Sequence, residues 1–184
     1  MKKLHILGLA ISAALCAPMA AHAVDGKITF NGALTGQTCT IGPTGGSFTV
    51  TLPTITTANL AGAVYAGATN FSIDVTQCPT GINSYVAYFE AGATVDLATG
   101  KLKNKATGSG AATFVEIALF NADDTGINLG APTGAQGVAT APVTNGSGKA
   151  HFIAKYFDSS PAGNITGPTV GSVESYVNYS LVYN

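Results

Sequence analysis

Large apolar residues in this chain fall at every second position in short runs, and Gly, Pro and Asn interrupt those runs. A period of two turns alternate side chains to opposite faces of an extended strand, so one face can enter a core while the other stays wet. No segment of helical length carries the 3.6-residue period. The clearest runs are Ile28 to Leu34, Phe48 to Leu52, Phe71 to Val75, Tyr85 to Phe89, Phe114 to Phe120, His151 to Phe157 and Val177 to Tyr183. Seven short strands punctuated by turn residues predict an all-β, two-sheet sandwich. Asn145-Gly146, between Val138 to Val143 and the run from His151, suits a hairpin turn with positive φ at both centres. Asp96 to Lys103 reads as a second turn with a lysine-rich edge, a composition that discourages stray strand pairing. The stretch from Thr54 to Thr69 has few large apolar residues and is expected to be a long loop.

The start of the chain has a different grammar. Lys2 and Lys3 precede an uncharged apolar stretch from Ile6 to Ala20, closed by Ala21-His22-Ala23, a small-x-small cleavage site. This is the pattern of a secretory signal, and it places the cut before Val24. The stretch is short against the roughly 20 residues of a membrane span and contains Gly8 and Pro18. Bulky Leu15 before Cys16 argues against a lipoprotein site. Removing 23 of 184 residues leaves 161, enough for one domain with its own core. Loss of Lys2 and Lys3 takes the formal net charge from −1 to −3, with six lysines and no arginine remaining. Such a chain offers little to nucleic acid or phosphate. Cys16 leaves with the signal, so Cys39 and Cys78 remain as an even pair in an oxidising compartment and are expected to be bonded.

Little in the chain suggests chemistry. After cleavage one histidine remains, His151, inside an alternating run and read as a strand residue facing solvent or a hydrogen-bonded neighbour. Asp123-Asp124 precedes Thr125-Gly126, a turn composition without a third acidic ligand for a cation. The glycines match neither phosphate-loop spacing, and two isolated thiols with one histidine lack the spacing of a zinc site. Asn-x-Ser/Thr triplets at Asn70, Asn145, Asn164 and Asn178 are expected by chance in a chain rich in those residues. No catalytic residue, metal site or cofactor is therefore assigned.

The two ends carry the signal. From Val24 the residues V-D-G-K-I-T-F-N-G put Val24, Gly26, Ile28, Phe30 and Gly32 on one face, with Asp25, Lys27, Thr29 and Asn31 on the other. The last run alternates through Val177, Tyr179, Leu181 and Tyr183 up to the penultimate residue; two arrangements are compatible with this pattern, an edge strand open to addition by another chain and a first strand that pairs within its own domain.

These ends resemble the major subunits of chaperone-usher fimbriae, the type 1 and P pilus kind, from Gram-negative bacteria. The resemblance rests on G-K-I-T-F-N-G-A-L-T-G-Q-T-C-T-I from Gly26 to Ile41, on Cys78 preceded by F-S-I-D-V-T-Q, and on the final G-S-V-E-S-Y-V-N-Y-S-L-V-Y-N. Gly171 is fourteenth from the end and Tyr183 penultimate, as in that family's C-terminal signature. The resemblance implies an incomplete immunoglobulin-like β-sandwich lacking its last strand and completed by donor-strand exchange. It divides the chain into a signal peptide (1–23), an N-terminal extension (24–36) that donates a strand and leads into the first strand, and a pilin domain (37–184). Val24, Gly26, Ile28, Phe30 and Gly32 would form the donor face, with Gly26 at the family's small position. Gly171, Val177, Tyr179, Leu181 and Tyr183 would mark the C-terminal strand used by the chaperone and by the acceptor groove. The implied partners are a periplasmic chaperone, an outer-membrane usher and neighbouring copies in a filament. The implied destination is a surface fimbrium that supports adhesion. A minor or tip subunit that binds a host ligand is the alternative, although 161 residues leave no room for an added lectin domain.

Cleavage and donor face are tested together by sequencing the exported protein from its N-terminus. It is expected to begin Val24-Asp25-Gly26; a start near Ile28 would strip Val24 and Gly26 from the proposed face and overturn both assignments.

Overall fold

The computed structural model describes residues 29, 38–42, 45–61, 64–164 and 166–184. The chain divides into Met1–Leu34 and Thr35–Asn184, and the fold below is that of the second unit. The predicted run from Ile28 to Leu34, apart from Thr29, and the donor-face residues lie outside the described residues.

Two strands of 12 residues each organise the rest. β1 (Thr40–Ile41) pairs with β2 (Tyr65–Thr76), and β2 runs antiparallel to β9 (Ser147–Asp158). The opposite edge of β9 takes β8 (Ala141–Thr144) at its start and β6 (Val115–Asn121) from Phe152 onward. Beyond β6 lie β5 (Lys101–Lys103) and β4 (Val95–Asp96), with β7 (Gly126–Ile127) also on β6. β8 then turns away, pairing through Ala141 and Pro142 with β3 (Ser84–Phe89), which pairs with β10 (Tyr179–Tyr183). The sheet thus curls over itself in the order β10-β3-β8-β9-β6-β5-β4 and becomes a sandwich. Alternation explains the core: Tyr85, Ala87 and Phe89 of β3 point inward against Ile73, Val75, Ile117, Leu119 and Phe152. Phe89 meets Phe152 edge-on at 5.5 Å.

Several expectations hold. The Asn145-Gly146 turn joins β8 to β9 with φ of 51° and 72°, the paired positive values of a two-residue hairpin. Asp96 to Lys103 forms the β4–β5 hairpin, with Lys103 3.8 Å from the Asp96 carboxylate. Asp123 accepts from the amide and hydroxyl of Thr125, a turn role, and Asp124 pairs with Lys155.

Others are corrected. The stretch from Thr54 to Thr69 is not one long loop, because it contains helix α1 (Thr57–Ala61) and the start of β2. The Thr56 hydroxyl caps α1 by accepting the Asn59 amide at 3.2 Å, and Leu60 is buried against Ala112 and Val115. β2 begins early because Tyr65 stacks edge-on with Phe120 at 5.0 Å and beside Phe157 at 5.3 Å. β6 starts at Val115, since Phe114 has φ of 58° and lies partly exposed outside the strand. All seven β6 residues are buried, where simple alternation would leave one face wet. Tyr65 and the Lys155 ammonium, 4.4 Å from the Phe120 ring, cover that second face, and Thr99 donates to the Glu116 carboxylate at 2.8 Å.

Cys39 and Cys78 are bonded across 39 residues, tying the chain just before β1 to the chain just after β2. The Tyr85 hydroxyl, with its side chain wholly buried, donates to the Ile73 carbonyl at 2.7 Å and joins the two faces of the sandwich. Burial pushes this phenol up to about 12.

Two tests follow from this core. Cys39→Ser is expected to lose about 4 kcal/mol of unfolding free energy, the chain-entropy value for a loop of this length, in urea titrations of the oxidised protein. For Tyr85, the folded protein holds the phenolic proton more tightly than the unfolded chain does. Its contribution is therefore intact below pH 10 and lost as pH rises toward 12. Melting temperature is expected to fall across that window, and Tyr85→Phe to flatten the fall while lowering stability at neutral pH by about 1 kcal/mol.

Candidate functional site: an apolar cleft beside the last strand

Among the described residues β10 is the edge of the curled sheet. Ser84 and Asn184 exchange two hydrogen bonds, at 3.1 and 2.9 Å, and Glu90 donates to the Asn178 carbonyl at 2.8 Å. In an antiparallel pair such residues alternate, so the backbones of residues 178, 180, 182 and 184 are spent on β3. The amides and carbonyls of Tyr179, Leu181 and Tyr183 point the other way. Among the described residues no backbone hydrogen bond reaches those outward groups. Their side chains turn toward the core yet stay only partly buried, as expected where a neighbouring strand would complete the cover.

The facing wall is the segment from Gly45 to Leu52. The sequence predicts a strand over Phe48 to Leu52, yet the structure forms none there among the described residues. Phe48 is 48% exposed, unusual for an aromatic residue beside a core, and its ring lies 6.1 Å from Phe71. Between the walls runs a cleft of about 710 Å³ whose floor is the sandwich core itself, including Phe71, Ile73, Phe89, Ile117 and Leu119. Among the described residues Glu174 is its one charged lining residue. At one end the Tyr179 hydroxyl donates to the Gly46 carbonyl at 2.6 Å and joins the two walls. Burial, and secondarily the neighbouring Tyr183 phenol, raises the Tyr179 hydroxyl above its ordinary value; burial does the same for Tyr183.

The second wall is held from behind. Asn104 donates to the carbonyls of Ala112 and Ser172, at 2.8 and 3.0 Å, and accepts the Glu174 amide at 2.9 Å. Thr94 donates to the Tyr176 carbonyl at 2.6 Å and the Lys105 amide to the Glu174 carbonyl at 2.7 Å. These bonds hold residues 172–176, and residues 174–178 lead into β10 along the cleft.

Of the residues singled out in the sequence, Val177 and Tyr179 line the cleft, while Leu181 and Tyr183 extend the same face of β10, with Tyr183 6.4 Å from Tyr85. Gly171 stands apart. It packs against the backbone of residues 110–112, where an added Cβ would come within 2.4 Å of the Ala112 amide, and it does not line the cleft. Val24, Gly26, Ile28, Phe30 and Gly32 lie outside the described residues. Sequence reasoning missed the wall from Gly45 to Leu52 as part of a site, although the alternation of Phe48 to Leu52 marked it as extended. It also missed Asn104 and Thr94, which carry no local signature.

Chemically this arrangement is a slot for one extended strand: hydrogen-bonding groups along one rim, apolar floor, little charge. The match to known proteins agrees. The family model described as type-1 fimbrial protein A, FimA, matches residues 52–184. The chain is 42% identical over 178 residues to the major fimbrial subunit SMF-1 of Stenotrophomonas maltophilia, covering 91% of this chain and 98% of that protein. It is 35% identical over 205 residues to the fimbrial protein FimX of Bordetella pertussis, covering 98% of both. Among solved structures it superposes on a subunit of a chaperone-usher pilus with a TM-score of 0.61 and 18% identity, covering 91% of this chain and 100% of the other. For the P pilus rod subunit PapA the TM-score is 0.60 and the identity 16%, with coverage of 80% and 100%. The fold is therefore the incomplete immunoglobulin-like sandwich of pilus subunits, and the chain belongs to the type-1 fimbrial protein family.

Proposed function

We propose that this chain is a structural subunit of a surface fimbrium and that it polymerises by donor-strand exchange through the cleft beside β10. The observation that carries the reading is the rim of outward backbone groups at Tyr179, Leu181 and Tyr183, set over an apolar floor. A sheet edge of this kind is completed by an extended strand whose backbone pairs with the rim and whose alternate side chains enter the floor. The chain's own extension has that pattern: Val24, Gly26, Ile28, Phe30 and Gly32 on one face and polar residues on the other. Burying Val24, Ile28 and Phe30 at about 1.5–3 kcal/mol each contributes roughly 5–9 kcal/mol before ordering costs, without cofactor or fuel.

Each copy gives a strand to one neighbour and receives one from another. That contact is head-to-tail and does not close on itself, so it extends a filament. A periplasmic chaperone covers the rim before assembly, and an outer-membrane usher carries the growing fibre to the surface. The relatives named above as fimbrial subunits support this structural role over a catalytic one.

The donor face is tested by Phe30→Asp, which sends a charge into an apolar slot. Fibres are expected to disappear from electron micrographs while the chaperone-bound subunit stays detectable in the periplasm. Thr29→Asp, on the wet face, is expected to keep normal fibres. Normal fibre yield from Phe30→Asp would falsify the donor-face assignment.

A further inference from the structure

Residues 173–184 alternate strictly in burial: Val173, Ser175, Val177, Tyr179, Leu181 and Tyr183 are partly buried, and the residues between them are exposed. All the inward positions but one carry an apolar or aromatic side chain packed on the core. Ser175 is the exception. Its hydroxyl is buried and finds no hydrogen-bond partner, and the residue lines the cleft. Of the three unpartnered buried side-chain atoms among the described residues, Ser175 Oγ alone belongs to a cleft residue. A hydroxyl withdrawn from water and left unpaired destabilises the state that holds it, so a partner supplied later is a source of binding energy.

The backbone around Ser175 is arranged like that of β10. The Glu174 amide and carbonyl bond backward to Asn104 and Lys105, and the Tyr176 carbonyl accepts from Thr94. Among the described residues no hydrogen bond reaches the backbone of Ser175 or Val177. The open rim therefore runs from Ser175 to Tyr183, with inward side chains at 175, 177, 179, 181 and 183. The apolar face of the extension also has five positions: Val24, Gly26, Ile28, Phe30 and Gly32. None of these five side chains can hydrogen-bond. Val, Ile or Phe beside Ser175 would press hydrocarbon on its hydroxyl, whereas glycine, without a Cβ, leaves its own amide and carbonyl open to close approach. Laid antiparallel along the rim, five positions on five, the extension brings Gly32 to Ser175; laid parallel it brings Val24.

We infer that Ser175 is a specificity-determining residue of the cleft: its hydroxyl, unpaired in the free subunit, hydrogen-bonds the backbone at Gly32 of the extension inserted by another copy. The inference rests on the proposed reading of the cleft. It adds a polar check on register to a slot that otherwise selects by shape. An extension slipped by two residues keeps its apolar face inward but sets Phe30 or Leu34 beside Ser175, and the hydroxyl stays buried and unpaired. A strand with a side chain at that position is disfavoured by the bond it prevents as well as by its bulk.

The test uses the full exported chain carrying Phe30→Asp, which disables its own extension as a donor, with and without Ser175→Ala. The probes are synthetic peptides copying Val24 to Leu34, one native, one with Gly32→Ala and one with Gly26→Ala, and capture is followed by fluorescence anisotropy. Ser175→Ala is expected to weaken capture of the native peptide about two- to ten-fold, the effect of one neutral hydrogen bond. Gly32→Ala is expected to lose more affinity on the Ser175 chain than on the Ser175→Ala chain, and Gly26→Ala to lose equally on both, as a double-mutant cycle reads direct coupling. Urea titration of the peptide-free chains is expected to show Ser175→Ala at least as stable as its parent, because the substitution removes an unpaired hydroxyl. Equal or tighter capture of the native peptide by Ser175→Ala, coupling to Gly26 in place of Gly32, or a less stable peptide-free Ser175→Ala chain would overturn the inference. Failure of the Ser175 chain to capture the native peptide at all would instead overturn the proposed function of the cleft.

Discussion

A backbone amide or carbonyl that leaves water must find another partner, and this constraint shapes the molecule more than any single side chain. Across most of the sandwich the requirement is met by antiparallel neighbours, with β9 serving β2 on one edge and β8 and β6 on the other. Among the described residues it is left open along β10, where every second residue presents its polar groups away from β3. The core follows suit: because no strand among the described residues covers it, Phe71, Phe89 and Leu119 form the floor of a cleft. One deficit thus produces both the hydrogen-bonding rim and the apolar slot.

The rest of the domain braces that opening. The bond between Cys39 and Cys78 pins the chain just before β1 to the chain just after β2, and the Tyr85 hydroxyl ties β3 to β2 through the Ile73 carbonyl. Gln136, buried, accepts the Phe89 amide at 3.0 Å and donates to the Phe89 carbonyl at 2.6 Å, which anchors the end of β3. Since β3 is the only strand bonded to β10 among the described residues, these contacts hold the rim in place from the far side. Asn104 and Thr94 do the same for residues 172–178. A subunit with an unfinished sheet needs such support, because a half-covered core otherwise gains little from order.

How much of this is visible in the sequence depends on whether a feature is local. Period-two runs marked the strands of the core, since alternation is written residue by residue, and Asn145-Gly146 marked its turn because few residues accept positive φ twice. α1 escaped because five residues carry no period, and its cap, Thr56, looks like any loop threonine. The two-residue strands β1, β4 and β7 exist only through their partners. For the cleft, the alternation of Val177, Tyr179, Leu181 and Tyr183 is plain in the chain, whereas the role of Phe48 to Leu52 as the facing wall is not. Nothing in a linear reading brings Gly46 to Tyr179, and nothing shows that Phe120 would be roofed by Tyr65 and Lys155.

The antiparallel register of β10 on β3, from Tyr179 opposite Phe89 to Tyr183 opposite Tyr85, bears on mechanics as well as on assembly. Tension drawn through a strand lying beside β10 acts along the strand axis, perpendicular to the hydrogen bonds of the ladder. Those bonds are then loaded together in shear, and the last strand slides or holds as a unit. Peeling from one end, which breaks bonds one after another, requires force across the strands. An edge that recruits its missing neighbour lengthwise is thereby also an edge suited to carrying load along a fibre.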